Sequence, residues 1–275
     1  MLMRRSLMAA VVAAAAVGAL TVPTIGQAQD PGNLIDEISQ RGAIRVGVGN
    51  FVPWVFRNKE GELIGFEVDV ARKLAEDMGV EVEFVPTVWD GMVPALLAGK
   101  FDVIISGMSL TPERMLKVNF TMPYASSGNM LAANRALRPD ESSLDAFNDR
   151  DVTIAVVRAS TAALGAQQFF PEARLRQFDA EAEVLQEVVN GNADAYVAAV
   201  PKPAADVEAY PDQLYIPVPE TFSGTVEGFA LRKGDPDALT FFNNWITINN
   251  SSGYLDERWL YWFTTREWAD QLPPQ

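Results

Sequence analysis

The sequence predicts an α/β protein of two units with a cleft between them, and three observations carry that expectation. Short apolar strands alternate with amphipathic helices, the pattern of parallel sheets with helices packed on them. The alternation runs through residues 44–114 and again through residues 152–218. An extended stretch at 225–233 and a helical region from about Asp237 to Trp268 follow, which would return the C-terminus to the first unit. The length of 275 residues agrees, since a domain takes roughly 100–200.

The first thirty residues read as an address. Arg4 and Arg5 precede an apolar stretch from Leu7 to Leu20, and Gly26-Gln27-Ala28 offers small residues where a signal peptidase cuts. Cleavage is expected after Ala28. The alternative is an uncleaved anchor, since the 24 residues from Ser6 to Gln29 carry no charge. The alanine-rich core and Pro23 favour cleavage. No later stretch approaches a membrane span, so residues 29–275 are expected to be soluble in the periplasm.

Ile44 to Val48 then alternates as a strand. Phe66, Val70, Leu74 and Met78 recur at helical spacing, with Gly79 to close the helix. Val80, Val82 and Phe84 form the next strand, ended by Pro86. A short helix from about Gly91 to Leu97 stops at Gly99, and Phe101 to Ser106 is a compact apolar strand. Thr111-Pro112 opens another helix, the threonine as N-cap and the proline at the first helical position. In the second half, Val152–Val157, Arg174–Phe178, Asp194–Ala199 and Leu214–Val218 read as strands. Thr161–Phe169 and Glu181–Val189 read as helices.

Composition removes whole classes of function. Hydrophobic residues make up 48% and charged residues 21%, a globular balance that excludes a disordered chain. Histidine and cysteine are absent, which removes Ser-His and Cys-His catalysis, thiolate or imidazole metal sites, and disulfides. No metal or cofactor is implied. The net charge is −14, and without residues 1–28 it is −16, with 20 basic against 36 acidic residues. Such a chain repels phosphate backbones, so nucleic acid is not an expected partner.

Three segments resemble one family closely: Gly65-Phe66-Glu67-Val68-Asp69-Val70-Ala71, Trp89-Asp90-Gly91-Met92-Val93-Pro94-Ala95-Leu96, and Phe101 through Arg114. The likeness continues in Val156-Val157-Arg158-Ala159-Ser160-Thr161, Asn190-Gly191-Asn192-Ala193-Asp194-Ala195 and Gly228 through Gly234. In this order the chain resembles the family 3 extracytoplasmic solute-binding proteins, the polar-amino-acid receptors of ABC importers. The resemblance implies a periplasmic binding protein type II fold, with two α/β lobes joined by two hinge strands. Lobe 1 would comprise residues 29–131 plus 228–275, and lobe 2 residues 132–227. It further implies a monomeric, non-enzymatic receptor that carries a small carboxylate-bearing ligand to a membrane permease.

Arg114 lies in the first turn of its helix, where exposed N–H groups already carry partial positive charge. A cation there is misplaced unless an anion shares the spot, and a guanidinium beside a helix N-terminus suits a carboxylate. Pairing with a nearby acid in solvent is the alternative. In the family, positions matching Gly107, Ser109 and Arg114 hold the ligand's carboxylate, and those matching Ser160 and Thr161 add hydrogen bonds from the other lobe. Phe51 and Trp89 match positions that stack on the ligand. Trp54 reads equally well as packing beneath the loop, and Trp245, Trp259, Tyr261, Trp262 and Trp268 read as core.

One departure bears on the ligand. The family usually sets acids against the ligand's ammonium, after the first strand and at the end of the Asp194 strand. Here Gly47-Val48-Gly49-Asn50-Phe51 has no acid, and Ala199 stands where the second is expected. A buried ammonium without a counter-charge loses a bond worth roughly 1.5–3 kcal/mol. Either another acid substitutes, Asp90 first and Glu227 second, or the ligand is a methylated cation held on aromatic faces, or it is an amine-free acid. An enzyme resembling cyclohexadienyl dehydratases is the alternative on the same scaffold. The sequence places no general acid in the cleft: Glu67 and Asp69 open a helix, and Glu181 and Glu183 read as a solvated helix face. A sensory input module would share the fold, but no signalling segment appears before Gln275, so a free-standing receptor is expected.

Overall fold

The computed structural model describes residues 33–265 and 267–272. The expected cleavage after Ala28 lies outside them. The chain opens with α1 (Leu34–Arg41), whose first turn is capped by Asn33 accepting from the Asp36 N–H at 3.0 Å. β1 (Ala43–Val48), a small hairpin of β2 (Phe56–Arg57) and β3 (Leu63–Ile64), α2 (Phe66–Met78) and β4 (Glu81–Pro86) follow. A 3₁₀ turn at Trp89–Gly91 leads into α3 (Met92–Leu97), then β5 (Val103–Ile104), the single-turn α4 (Pro112–Met115) and β6 (Asn119–Phe120). The long strand β7 (Ala125–Asn134) leaves this region.

The second lobe adds β8 (Thr153–Val157), α5 (Thr161–Phe169), β9 (Arg174–Phe178), α6 (Glu181–Val189), β10 (Ala195–Ala199), α7 (Lys202–Ala209) and β11 (Leu214–Tyr215). The chain returns through β12 (Ser223–Glu227) to β13 (Ala230–Leu231). It ends in α8 (Pro236–Ser251), α9 (Tyr254–Trp259) and a π-helical turn at Leu260–Thr265.

Two sheets result. The first runs β4-β1-β5-β13-β6, and the second β11-β7-β10-β8-β9 with β12 alongside β7. Each is mixed rather than purely parallel. β1 lies parallel to β4 and β5, and β8 parallel to β9 and β10, as the strand–helix alternation predicts. The returning strands β13 and β12, and β7 itself, pair antiparallel because they connect lobes rather than wind within one. The lobe boundary expected after residue 131 falls inside β7, whose ladder with β12 already begins at Ala125 opposite Glu227. Nothing in the small and polar Ala-Ser-Ser-Gly-Asn start of that strand marks it as one.

The C-terminal helices pack on the first sheet. Phe242, Trp245, Ile246, Trp262 and Trp268 are buried with Ile44, Val46, Phe66, Leu74 and Phe229, each large side chain contributing roughly 1.5–3 kcal/mol of burial. The second lobe divides its core over the two faces of its sheet: Phe147, Ile154, Val156, Ala166 and Phe170 on one, and Tyr196, Ala155, Val184 and Val188 on the other.

Candidate functional site

The lobes enclose an inner cavity of about 60 Å³ that opens beside a groove of about 1160 Å³. The inner cavity has room for only a few water molecules, so an amino acid enters only if its walls part. The first lobe contributes Phe51, Trp54, Trp89, Ser106, Gly107 and Ser109. Ser160, Thr161 and Glu181 come from the second, Ala199 ends β10 there, and Ser127, Asn129 and Glu227 come from the two crossing strands. Arg114 and Asp90 stand in the wall of the outer groove, which shares Trp89 and Ser160 with the cavity.

Gly107 is in the left-handed region at φ +63°, and a Cβ there would stand 2.8 Å from the Trp54 ring. Only glycine lets the backbone lie that close to the indole. The Gly107 N–H donates to Glu67 Oε1 at 2.7 Å, which the Tyr124 hydroxyl also reaches at 2.6 Å. Trp54, only 5% exposed, meets Phe66, Trp259 and Phe263 edge-on while one side still faces the cavity. It therefore packs and lines at once. Phe51 meets Trp89 edge to face at 4.7 Å between ring centres.

Arg114 is 9% exposed, so it is not a solvated arginine. Thr111 caps its helix, accepting from the Arg114 N–H at 3.2 Å. The guanidinium donates to the Ser109 carbonyl at 2.8 Å and, across the gap between lobes, to the Ala159 carbonyl at 2.9 Å. It lies 5.5 Å from the centre of the Trp89 ring. Burial draws it down to about 10, against the pull of Glu113. Glu113 is itself engaged with Lys117 at 2.7 Å. A desolvated cation met by main-chain dipoles is one that an entering anion would stabilise.

Ser160 is the N-cap of α5. Its hydroxyl donates to the Val157 carbonyl at 2.7 Å and accepts from the Ala163 N–H at 3.1 Å, so its hydrogen is already committed. Asn129 reaches from β7 to the Thr161 carbonyl at 3.3 Å and to the Ser223 hydroxyl at 2.9 Å.

The acids are arranged differently from the sequence reading. Asp90, the first candidate for the missing counter-charge, is exposed in the outer groove, because the 3₁₀ turn at Trp89–Gly91 turns the tryptophan inward and its neighbour outward. Glu181, read as part of a solvated face, lines the cavity from the first position of α6. Burial pushes its carboxyl up to about 8, tempered by Lys202 and the Val52 N–H and reinforced by Asp206. Glu67 is fully buried and likewise raised to about 8 by burial, with the Tyr124 and Gly107 donors opposing and Glu227 adding like-charge repulsion.

Glu227 is 1% exposed and also lines the cavity. Its Oε1 accepts from Thr225 at 2.7 Å, Ser127 at 2.9 Å and Ser109 at 3.3 Å. Its Oε2 is buried without a hydrogen-bond partner among the described residues. Ser127, Asn129 and Glu181 had no individual signal in the sequence. Glu227 is marked there only by its place near the second crossing, as the second candidate after Asp90. Among the described residues no acid cluster could hold a metal ion, and no helix is long and apolar enough to cross a membrane.

Comparison with known proteins agrees with this architecture. The sequence profile of the bacterial extracellular solute-binding proteins, family 3, matches residues 44–265. The L-cystine-binding protein TcyJ of Escherichia coli K12 is 30% identical over 261 residues, covering 94% of this chain and 95% of its own. A solved ABC-transporter binding component from Wolinella succinogenes, complexed with lysine, superposes with a TM-score of 0.78 at 35% identity over 84% of this chain and 99% of its own. An ancestral amino acid-binding protein, described as a precursor of cyclohexadienyl dehydratase, gives a TM-score of 0.76 at 39% identity over 85% of this chain and 100% of its own.

Proposed function

Because the chain belongs to the bacterial extracellular solute-binding proteins, family 3, we propose that it captures a free amino acid or close derivative between its lobes and delivers it to the permease of an ABC importer. The observation that carries this reading is Arg114, a buried cation donating to carbonyls of both lobes beside an aromatic-walled cavity. A ligand carboxylate at its edge would lie between Ser109 and Gly107 on one side and Ser160 and Thr161 on the other, the Gly107 N–H and the Ser160 hydroxyl serving it once they leave Glu67 and the Val157 carbonyl. Contact with both lobes supplies the differential affinity that shifts an open–closed equilibrium. Phe51 and Trp89 flank the ligand stem in this reading. We place the receptor in the periplasm after removal of residues 1–28, acting as a non-enzymatic monomer.

The test is a thermal-shift screen of protein refolded to remove carried-over ligand. The panel holds the standard amino acids, their betaine counterparts and amine-free carboxylic acids. A carboxylate present at 100 times its Kd should add about 2.7 kcal/mol of stability. Absence of a response to every member would defeat the reading.

A second reading has a specific observation behind it. Glu67 and Glu181 are both held near 8 by burial, the property a general acid needs, and Glu181 faces the cavity. The solved relative described as a precursor of cyclohexadienyl dehydratase shares this scaffold. Turnover of prephenate or arogenate by the purified protein, abolished in Glu181→Gln, would replace the receptor reading.

A further inference from the structure

We propose that Glu227 is the counter-charge for the ligand's ammonium group, and that the ligand class is therefore restricted to carboxylates bearing an N–H cation. The inference rests on the amino-acid reading above and sharpens it. Neither position where the family's pattern would set an acid carries one: the residues after β1 are uncharged, and β10 ends at Ala199, which lines the cavity.

Glu227 fills the gap from another direction. Its backbone is pinned at the meeting of the lobes, the Tyr124 N–H donating to its carbonyl at 3.0 Å and Ser109 bridging it antiparallel. Burial raises this carboxyl above the ordinary carboxylate range, the three hydroxyls that converge on Oε1 oppose that, and an arriving ammonium would favour the ionised form further. Oε2 is left buried and unpaired beside the cavity. An unpaired buried carboxylate oxygen is costly, and the cost disappears when an N–H arrives.

The alternatives fit less well. Glu181 also lines the cavity, but Lys202 already offsets its charge and the Val52 N–H supports it. A quaternary ammonium has no N–H to give Oε2. An amine-free acid likewise brings no N–H to Oε2.

The deciding experiment titrates each amino acid that stabilises the refolded protein, its N-trimethyl counterpart and its deaminated acid into wild type and Glu227→Gln by calorimetry. Wild type should prefer the free amino acid to both counterparts by roughly 10- to 150-fold, the equivalent of about 1.5–3 kcal/mol. Glu227→Gln should lose affinity for the free amino acid by a similar factor and discriminate poorly among the three. Asp90→Asn should stay within about threefold of wild type. Counterparts bound within about threefold of the free amino acid would overturn the proposal, as would a folded Glu227→Gln of unchanged affinity. Should that variant not fold, the wild-type comparison decides alone. If wild type bound amine-free acids or betaines only, the receptor would stand and this proposal would fall. Silence across the whole panel would remove the amino-acid reading and the proposal with it.

Discussion

Arg114 and Glu227 are both buried charges at the site, yet they are held in opposite ways. Arg114 spans the gap, bonded to the Ser109 carbonyl in one lobe and the Ala159 carbonyl in the other. Glu227 sits on a crossing strand, its partners Ser109, Ser127 and Thr225 gathered where the lobes join. Opening the lobes breaks half of the arginine's support and leaves most of the glutamate's intact. The arginine end is thus suited to report closure, and the glutamate end to be preformed and to select.

The largest effect should come from breaking the spanning end. Arg114→Ala is expected to lose at least 100-fold in affinity, about 2.7 kcal/mol, without unfolding. Ligand should also no longer compact the protein in small-angle scattering. Affinity within about threefold of wild type would show that the gap-spanning contact is incidental. Next comes Gly107→Ala, which forces a Cβ against the Trp54 ring at a left-handed backbone position. We expect a loss of roughly 1–3 kcal/mol in chemical denaturation. Weaker ligand binding should accompany it, since Trp54 is shared between core and cavity.

Chemistry at the joining end can be probed by pH. Glu67 and Glu181 are raised from 4.5 to about 8, so between those values the folded state holds protons that the unfolded state has released. Stability of the unliganded protein should therefore fall as pH rises from about 4.5 to about 8 and level off above. The melting temperature should drop across that window, and Glu67→Gln should remove part of the slope. A flat profile in wild type would contradict the buried-acid picture. The smallest effect is expected at Ala159, which holds φ 56° while offering its carbonyl to Arg114. Ala159→Gly should raise stability by up to about 1 kcal/mol, read as a higher denaturant midpoint. A loss instead would show that the strain is compensated elsewhere.

Much of the fold was legible because its signals are local. α5 and α6 occupy Thr161–Phe169 and Glu181–Val189 as read, since Ser160 caps the start of the first and Asn190-Gly191 ends the second. The Gly79 closure of α2 follows from the left-handed backbone that glycine permits. β7 was not legible, because its small and polar residues gain their place only from neighbours on both sides. α1 and α7, each eight residues long, are not marked in the sequence reading, although Leu34 and Ile38 of α1 are buried at helical spacing.

The site divides in the same way. Phe51, Trp89, Gly107, Ser109, Ser160 and Thr161 all line the cavity, while Arg114 and Asp90 line the groove outside it. Residue type and spacing cannot tell which end of a helix points into a cleft. For that reason the sequence alone makes Glu181 a solvated residue and favours Asp90 over Glu227.

The pairing of β7 with β12, from Ala125 opposite Glu227 to Asn129 opposite Ser223, has a mechanical consequence. Two separate connectors could twist and slide independently, but a hydrogen-bonded ribbon flexes most easily about one axis across its width. Glu227 lies at the Ala125 end of that ribbon and bridges Ser109, whose carbonyl the Arg114 guanidinium holds. A ligand anchored first at Glu227 would then reach across to the second lobe through its carboxylate.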